Sequence, residues 1–216
     1  MSRGAMRTVL VTGGIGSGKS LVCRLLSAHG IPVYDADSRT KALYEASVGP
    51  DGRLAEGSLL SRLEGAFGRR FVQEGPEPVS RVDYAALSAA AFASAASLNL
   101  LESVVHPAVL EDFTGWKEAA SSAEVPPPFV VLESAIALEK PLFDGSYDDV
   151  VLVYASEDTR LARVRQRNPG LPDDDIRRRL AFQRFDFSRA DYLLINDATP
   201  DALRAQVDAL FAHLCA

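Results

Sequence analysis

Thr12-Gly13-Gly14-Ile15-Gly16-Ser17-Gly18-Lys19-Ser20 places four residues between Gly13 and Gly18-Lys19-Ser20, the G-x-x-x-x-G-K-[ST] spacing of a phosphate-cradling loop. The neighbouring sequence suits it. Thr8-Val9-Leu10-Val11 reads as a short buried strand, and Leu21 to Leu26 as an amphipathic helix. Glycine at 13, 14, 16 and 18 permits backbone angles that a side chain forbids, so successive N–H groups can turn inward around phosphate oxygens. The following helix adds its own free N–H donors and partial positive charge. Lys19 is expected to reach the β- and γ-phosphates and the Ser20 hydroxyl to ligate Mg²⁺. A glycine-rich turn without a ligand is the alternative, and the strand-loop-helix context argues against it.

The bulk composition sets limits around that loop. A chain of 216 residues, 47% hydrophobic and 24% charged, has room for one α/β domain with a helical insertion. No apolar run approaches the ~18 residues of a membrane span, and the first residues lack a secretory pattern. Ser2-Arg3-Gly4-Ala5 is either an added leader or an early start ahead of Met6. Two cysteines, Cys23 and Cys215, form neither a disulfide framework nor a metal-ligand spacing, so a reducing cytoplasm is the expected compartment. A net charge of −6 argues against a general nucleic-acid or anionic-membrane binder. Of 19 arginines, nine fall between Arg160 and Arg189. Such a concentration in an acidic chain fits a site for a small polyanion.

Outward from the loop, strand and helix alternate. His29-Gly30 closes the first helix, and Ile31 to Tyr34 reads as a second strand leading into Asp35-Ala36-Asp37. Ligands of open α/β sheets gather at such strand ends. Asp35 and Asp37 therefore either cap the helix that begins near Ser38 or serve a site. From about Arg39 to Glu124 the chain turns rich in Ala, Leu and Glu, with helical spacing over Thr40–Ser47, Ser58–Phe67, Tyr84–Ala96 and Leu98–Ala120. Breaks fall at Gly49-Pro50, Gly52, Gly57 and Gly75 to Pro78. No fixed period recurs, so this is a helical insertion, with His106-Pro107 a pause inside it.

Phe129 to Leu132 reads as a fully buried strand ending in Glu133-Ser134. Glu133 there either faces Mg²⁺ or bonds the neighbouring loop. Glu139 follows an apolar run. Asp149 to Tyr154 is the next strand, and Ser156-Glu157-Asp158 caps a helix from Thr159 to Arg167. Arg160, Arg163 and Arg167 share one face of it, with Leu161 and Val164 pointing elsewhere. Asn168 to Pro172 breaks that helix, and Asp173-Asp174-Asp175 opens another that runs to Arg184. Two arginine-bearing helices about such a break suit a lid that closes over a nucleotide; two solvated helices are the alternative. Tyr192 to Ile195 is the fifth strand, ending in Asn196-Asp197. Thr199-Pro200-Asp201 starts a closing helix with Leu203, Val207, Leu210 and Leu214 on its core side. The pattern predicts a parallel sheet with helices on both faces.

The chain resembles the dephospho-CoA kinase family in the order and spacing of these features. The resemblance is carried by the loop from Thr12 to Ser20, Gly30 to Val33 leading into Asp35-Ala36-Asp37, His106-Pro107, the Ala135 to Glu139 stretch, Arg163 and Arg167 followed by Gln183, and Ile195-Asn196-Asp197. Leu21, Ala135 and Asn168 depart from that family's usual Thr, Pro and acid, and Asn196-Asp197 inverts its usual acid-then-Asn order. The resemblance implies an α/β three-layer P-loop NTPase fold with a parallel five-stranded sheet. Residues 1–38 and 126–216 would be the nucleotide-binding core, with a lid at about 163–189, and residues 39–125 a helical acceptor-binding insertion.

It also implies transfer of the ATP γ-phosphoryl group, with Mg²⁺, to the ribose 3′-hydroxyl of dephospho-CoA. On this resemblance Asp37, Lys19 and Arg163 are catalytic. Gly13, Gly14, Ile15, Gly16, Ser17, Gly18, Lys19, Ser20, Leu21, Arg163, Arg167 and Asn196 hold the nucleotide. Asp35, Asp37, His106 and Glu139 are expected to hold the acceptor; Ser20 is expected to hold the metal, joined by Glu133 if that carboxylate faces Mg²⁺ and not the neighbouring loop. The protein is expected to act as a monomer or weak homo-oligomer on a small molecule, without nucleic acid or membrane. The alternatives are another small-molecule kinase, such as one for nucleoside monophosphates, and a nucleotide-dependent switch. A guanine-specific switch would carry an N-K-x-D stretch after a late strand, which Asn196-Asp197-Ala198-Thr199 does not supply.

Overall fold

The computed structural model describes residues 6–73, 81–181 and 186–216. Ser2 to Ala5, the Gly75 to Pro78 break, and Gln183 and Arg184 of the expected lid lie outside the described residues. The strands are β1 (Thr8–Thr12), β2 (Val33–Asp35), β3 (Val72–Gln73), β4 (Arg81–Val82), β5 (Val130–Glu133), β6 (Asp149–Tyr154) and β7 (Tyr192–Ile195). The α-helices are α1 (Lys19–Ala28), α2 (Ala36–Ala46), α3 (Leu59–Phe67), α4 (Tyr84–Ala91), α5 (Ala95–Ser121), α6 (Glu157–Arg167), α7 (Asp173–Ala181) and α8 (Pro200–Leu214). The chain divides into two compact units, one of Met1–Asp35 with Trp116–Ala216 and the other of Ala36–Gly115.

In the first unit β2, β5, β1, β6 and β7 form one sheet in that order, all parallel. β1 lies at its centre, and its Val9-Leu10-Val11 run, apolar on both faces, is fully buried. Val9, Val11, Val131, Val151, Val153 and Leu194 face one way. Against them pack Val22, Leu25 and Leu26 of α1 and Leu203, Val207, Leu210 and Leu214 of α8, the core positions expected from the spacing of α8. Leu10, Leu132 and Leu152 have the opposite parity and are also buried, as sheet residues of period two must be when both faces are covered. Tyr34 is buried too, its ring edge-on to Trp116 at 5.4 Å.

α6 and α7 have a small core of their own. Leu161 and Val164 of α6 meet Ile176 and Leu180 of α7, with Ile15 and Leu171 packed alongside. Arg165 of α6 grips Asp173 of α7 with a two-pronged ion pair.

The second unit is mainly helical. Leu59, Leu60 and Leu63 of α3, Leu87 of α4 and Val105, Val109 and Phe113 of α5 are buried. Arg39 of α2 binds both carboxylate oxygens of Asp112 on α5, at 2.9 and 2.6 Å. Two features differ from the sequence reading. β3 and β4 pair as a minimal antiparallel ribbon, too short for any periodicity to reveal. α5 also runs unbroken through Pro107, where His106-Pro107 reads as a pause. Proline there removes one N–H donor, and a helix this long retains enough other bonds to absorb the loss.

Candidate active site

The loop between β1 and α1 takes the conformation that its glycines make possible. Gly13, Gly16 and Gly18 have φ of 145°, 77° and 102°, which residues with side chains rarely adopt. Gly14 is not in that region, so three of the four motif glycines use the freedom predicted for them. At Gly16 a Cβ atom would sit 2.8 Å from the Arg160 carbonyl oxygen, and at Gly18 it would overlap the Asn196 side-chain amide. These glycines thus let α6 and the end of β7 come against the loop. The Ser17 hydroxyl, fully buried, has no hydrogen-bond partner among the described residues.

Lys19 and Ser20 open α1. The Lys19 ammonium donates to the carbonyl oxygens of Gly13 at 2.8 Å and Gly14 at 3.3 Å, folding the side chain back over its own loop. The Ser20 hydroxyl donates to Oε1 of Glu133 at 2.8 Å. Strand register places Glu133 beside Asp35 on β2 and beside Val11 on β1. Two carboxylates on neighbouring parallel strands, with a hydroxyl at the helix start, make a hard-oxygen set suited to Mg²⁺. The same cluster surrounds Cys23, whose thiol burial pushes up, with the Glu133 and Asp35 carboxylates adding to the effect.

α6 supplies the cations. Arg160 is only 5% exposed and lies against Gly16. Burial lowers its pKa, while the nearby Glu157 carboxylate partly opposes that shift. Arg163 is half-buried and donates to the carbonyls of Gly16 at 3.3 Å, Ser17 at 3.4 Å and Asn196 at 3.0 Å, and to the Asn196 Oδ1 at 3.2 Å. Arg167, at the end of the helix, is exposed.

The other expected residues fall at distinct places. Leu21 packs its side chain against the main core, and Ile15 packs against the core shared by α6 and α7. Asn196 is buried and donates its amide to the Ser17 carbonyl at 2.8 Å. Glu139 is exposed at the end of a short 3₁₀ turn, Ala137–Glu139, that follows β5. Asp37 stands in the first turn of α2, two residues beyond the end of β2, and His106 is half-buried in α5; both belong to the second unit. Within the first unit, therefore, the fold gathers Lys19, Ser20, Asp35, Glu133, Arg163 and Asn196 about one loop.

Sequence reasoning missed two supports. Asp197 accepts from the Ser156 N–H at 2.9 Å and from the Ser156 hydroxyl at 2.9 Å, pinning the start of α6. Arg189 reaches the Leu138 carbonyl, and also Asp144 and Tyr147, each at 3.3 Å. Both contacts are distant in sequence. The only signal was that Asp197 and Arg189 lie close to strand and helix ends.

Comparison with known proteins follows the same lines. A profile of the family described as dephospho-CoA kinase matches residues 7–201. A dephospho-CoA kinase of Corynebacterium efficiens is 35% identical over 97% of this chain and 98% of its own length. The crystal structure of TT1252 from Thermus thermophilus superposes with a TM-score of 0.75 at 29% identity, covering 98% of this chain and 99% of that one. A dephospho-CoA kinase from Campylobacter jejuni shares the fold, with a TM-score of 0.59 at 17% identity over 98% of both chains.

Proposed function

Because the chain belongs to the dephospho-CoA kinase family, we propose that it transfers the γ-phosphoryl group of ATP to the ribose 3′-hydroxyl of dephospho-CoA, giving coenzyme A and ADP. The observation that carries this reading is the match over residues 7–201; a loop with Lys19 folded over its own carbonyls and Ser20 bonded to Glu133 supports it.

The roles follow from the chemistry. Phosphoryl transfer passes through a loose transition state, so positioning and charge neutralisation matter more than a strong base. The main-chain N–H groups of the loop and the start of α1 bind phosphate oxygens. Lys19 leaves the Gly13 and Gly14 carbonyls to meet the β- and γ-phosphates, which are better partners for an ammonium than neutral carbonyls. Ser20 and Glu133 would hold Mg²⁺, which neutralises charge on those phosphates. Arg163 stabilises charge on the transferring group, Arg167 adds to the cationic surround, and Asp37 accepts the proton of the attacking hydroxyl. Asp35, His106 and Glu139 are assigned to the acceptor, the helical residues 39–125 to its selection, and the α6–α7 pair to a lid. No described helix is long and apolar enough to cross a membrane. We place the enzyme in the cytoplasm, acting on a small molecule alone, as a monomer or weak homo-oligomer.

Two measurements test this. ADP release with Mg·ATP should be fast with dephospho-CoA and negligible with each nucleoside monophosphate; release only with a monophosphate overturns the acceptor. Among variants, Lys19→Ala and Arg163→Ala should each lower turnover by about 10³-fold, at least as much as Asp37→Asn. Near-normal turnover in the first two would remove the assigned electrostatic roles.

A further inference from the structure

We infer that Asn196 is a positioning residue, which sets the phosphate loop and Arg163 in register and does not read the base of the nucleotide. Its side chain is only 4% exposed, and its polar atoms are directed at protein. The amide nitrogen donates to the Ser17 carbonyl at 2.8 Å. The amide oxygen and the main-chain oxygen both accept from Arg163, at 3.2 and 3.0 Å. Arg163 in turn bonds the Gly16 and Ser17 carbonyls, so one asparagine, one arginine and two loop carbonyls close a ring.

The ring has a consequence for phosphate binding. In a trans peptide the C=O and the next N–H point in opposite directions. Holding the Ser17 carbonyl toward Asn196 therefore turns the Gly18 N–H the other way, free to donate to a phosphate oxygen bound by the loop. Gly18 itself belongs to the arrangement, because a Cβ there would overlap the Asn196 amide. The last glycine of the motif is thus required by a residue 178 positions further on in sequence.

Asn196 is also built to stay in place. Its N–H donates to the Tyr154 carbonyl at 2.8 Å. The preceding residue, Ile195, has both main-chain polar atoms held by the Gln206 side chain of α8, at 3.0 and 2.9 Å. The loop is therefore braced from β6, β7 and α8 through a single side chain. This inference rests on the loop being a phosphate site and not on the identity of the acceptor.

Tripolyphosphate, which has no base, is the discriminating probe. Its affinity and that of ATP are measured by titration calorimetry with Mg²⁺ on wild-type protein and Asn196→Ala, with circular dichroism to establish that the variant is folded. The expected result is that both affinities fall by the same factor, about tenfold. Loss of ATP affinity with tripolyphosphate binding unchanged would make Asn196 a base contact and overturn the inference, and so would no change in either. Should Asn196→Ala fail to fold, the near-isosteric Asn196→Asp replaces it. That variant keeps an acceptor for Arg163 but sets a carboxylate against the Ser17 carbonyl, and the same equal loss is expected. All these outcomes are read without dephospho-CoA, so an error in the assigned acceptor leaves them untouched.

Discussion

Cys23 faces Glu133 and Asp35 beneath the phosphate loop, while Cys215 is exposed near the end of the chain. The thiolate is the nucleophile toward alkylating agents, and burial together with two carboxylates suppresses it at Cys23. Native protein treated with iodoacetamide at pH 8 should take up one equivalent, at Cys215, and two in guanidinium chloride. Mass spectrometry locates the label, and rapid native modification of Cys23 would mean that the cluster is open to solvent. At this scale much of the site was legible. Gly13, Gly18, Lys19 and Ser20 carry the spacing of a phosphate-cradling loop, and Glu133 ends an apolar strand beside it. The partners of Asn196 and Asp197 were not legible, because amide and carboxylate hydrogen bonds to residues 41 or 179 positions away leave no local pattern.

Among the elements, α6 shows how a helix is aimed. Ser156 caps it through its hydroxyl, which accepts from the Thr159 N–H, and Asp197 fixes Ser156 from the end of β7. The Ser156 N–H is the main reason that the Asp197 carboxyl titrates below its usual range; desolvation opposes it, and Thr159, the Ser156 hydroxyl and the Arg163 charge add smaller lowering contributions. A lowered folded pKa means that the bond stabilises the protein above the unfolded value of about 3.9 and that this contribution is lost as pH falls through the folded value. Wild-type protein should therefore have a higher Tm than Asp197→Ala at pH 7, and the gap should close as pH drops below about 4. A gap that does not change with pH would assign the effect to packing alone. The helix itself was predictable from its cap and its acidic first turn. The burial of Arg160 was not, because i, i+3, i+7 spacing says which residues share a face but not what that face meets.

For the whole molecule the order of strands decides which apolar residues matter. Leu132 on β5 and Leu193 on β7 both sit in apolar strand sequences, yet Leu132 is fully buried between β1 and β2 and Leu193 is 45% exposed on the sheet edge. Leu132→Ala should cost about 3–5 kcal/mol and lower Tm by roughly 6–20 °C. Leu193→Ala should lower it by no more than about 4 °C; equal shifts would contradict the strand order. The sequence by itself determined the alternation of strand and helix, the phosphate loop with Lys19 and Ser20, the core stripe of α8 and the strands β6 and β7 to the residue. Each of these depends on neighbours within a turn or a strand, where period and spacing are written directly. Only the tertiary structure decided that β1 lies at the centre of the sheet, that Arg160 is buried and that Asn196 braces the loop at Ser17. Such contacts join residues far apart in the chain, and which of many polar groups meet is fixed only when the sheet brings its strand ends together.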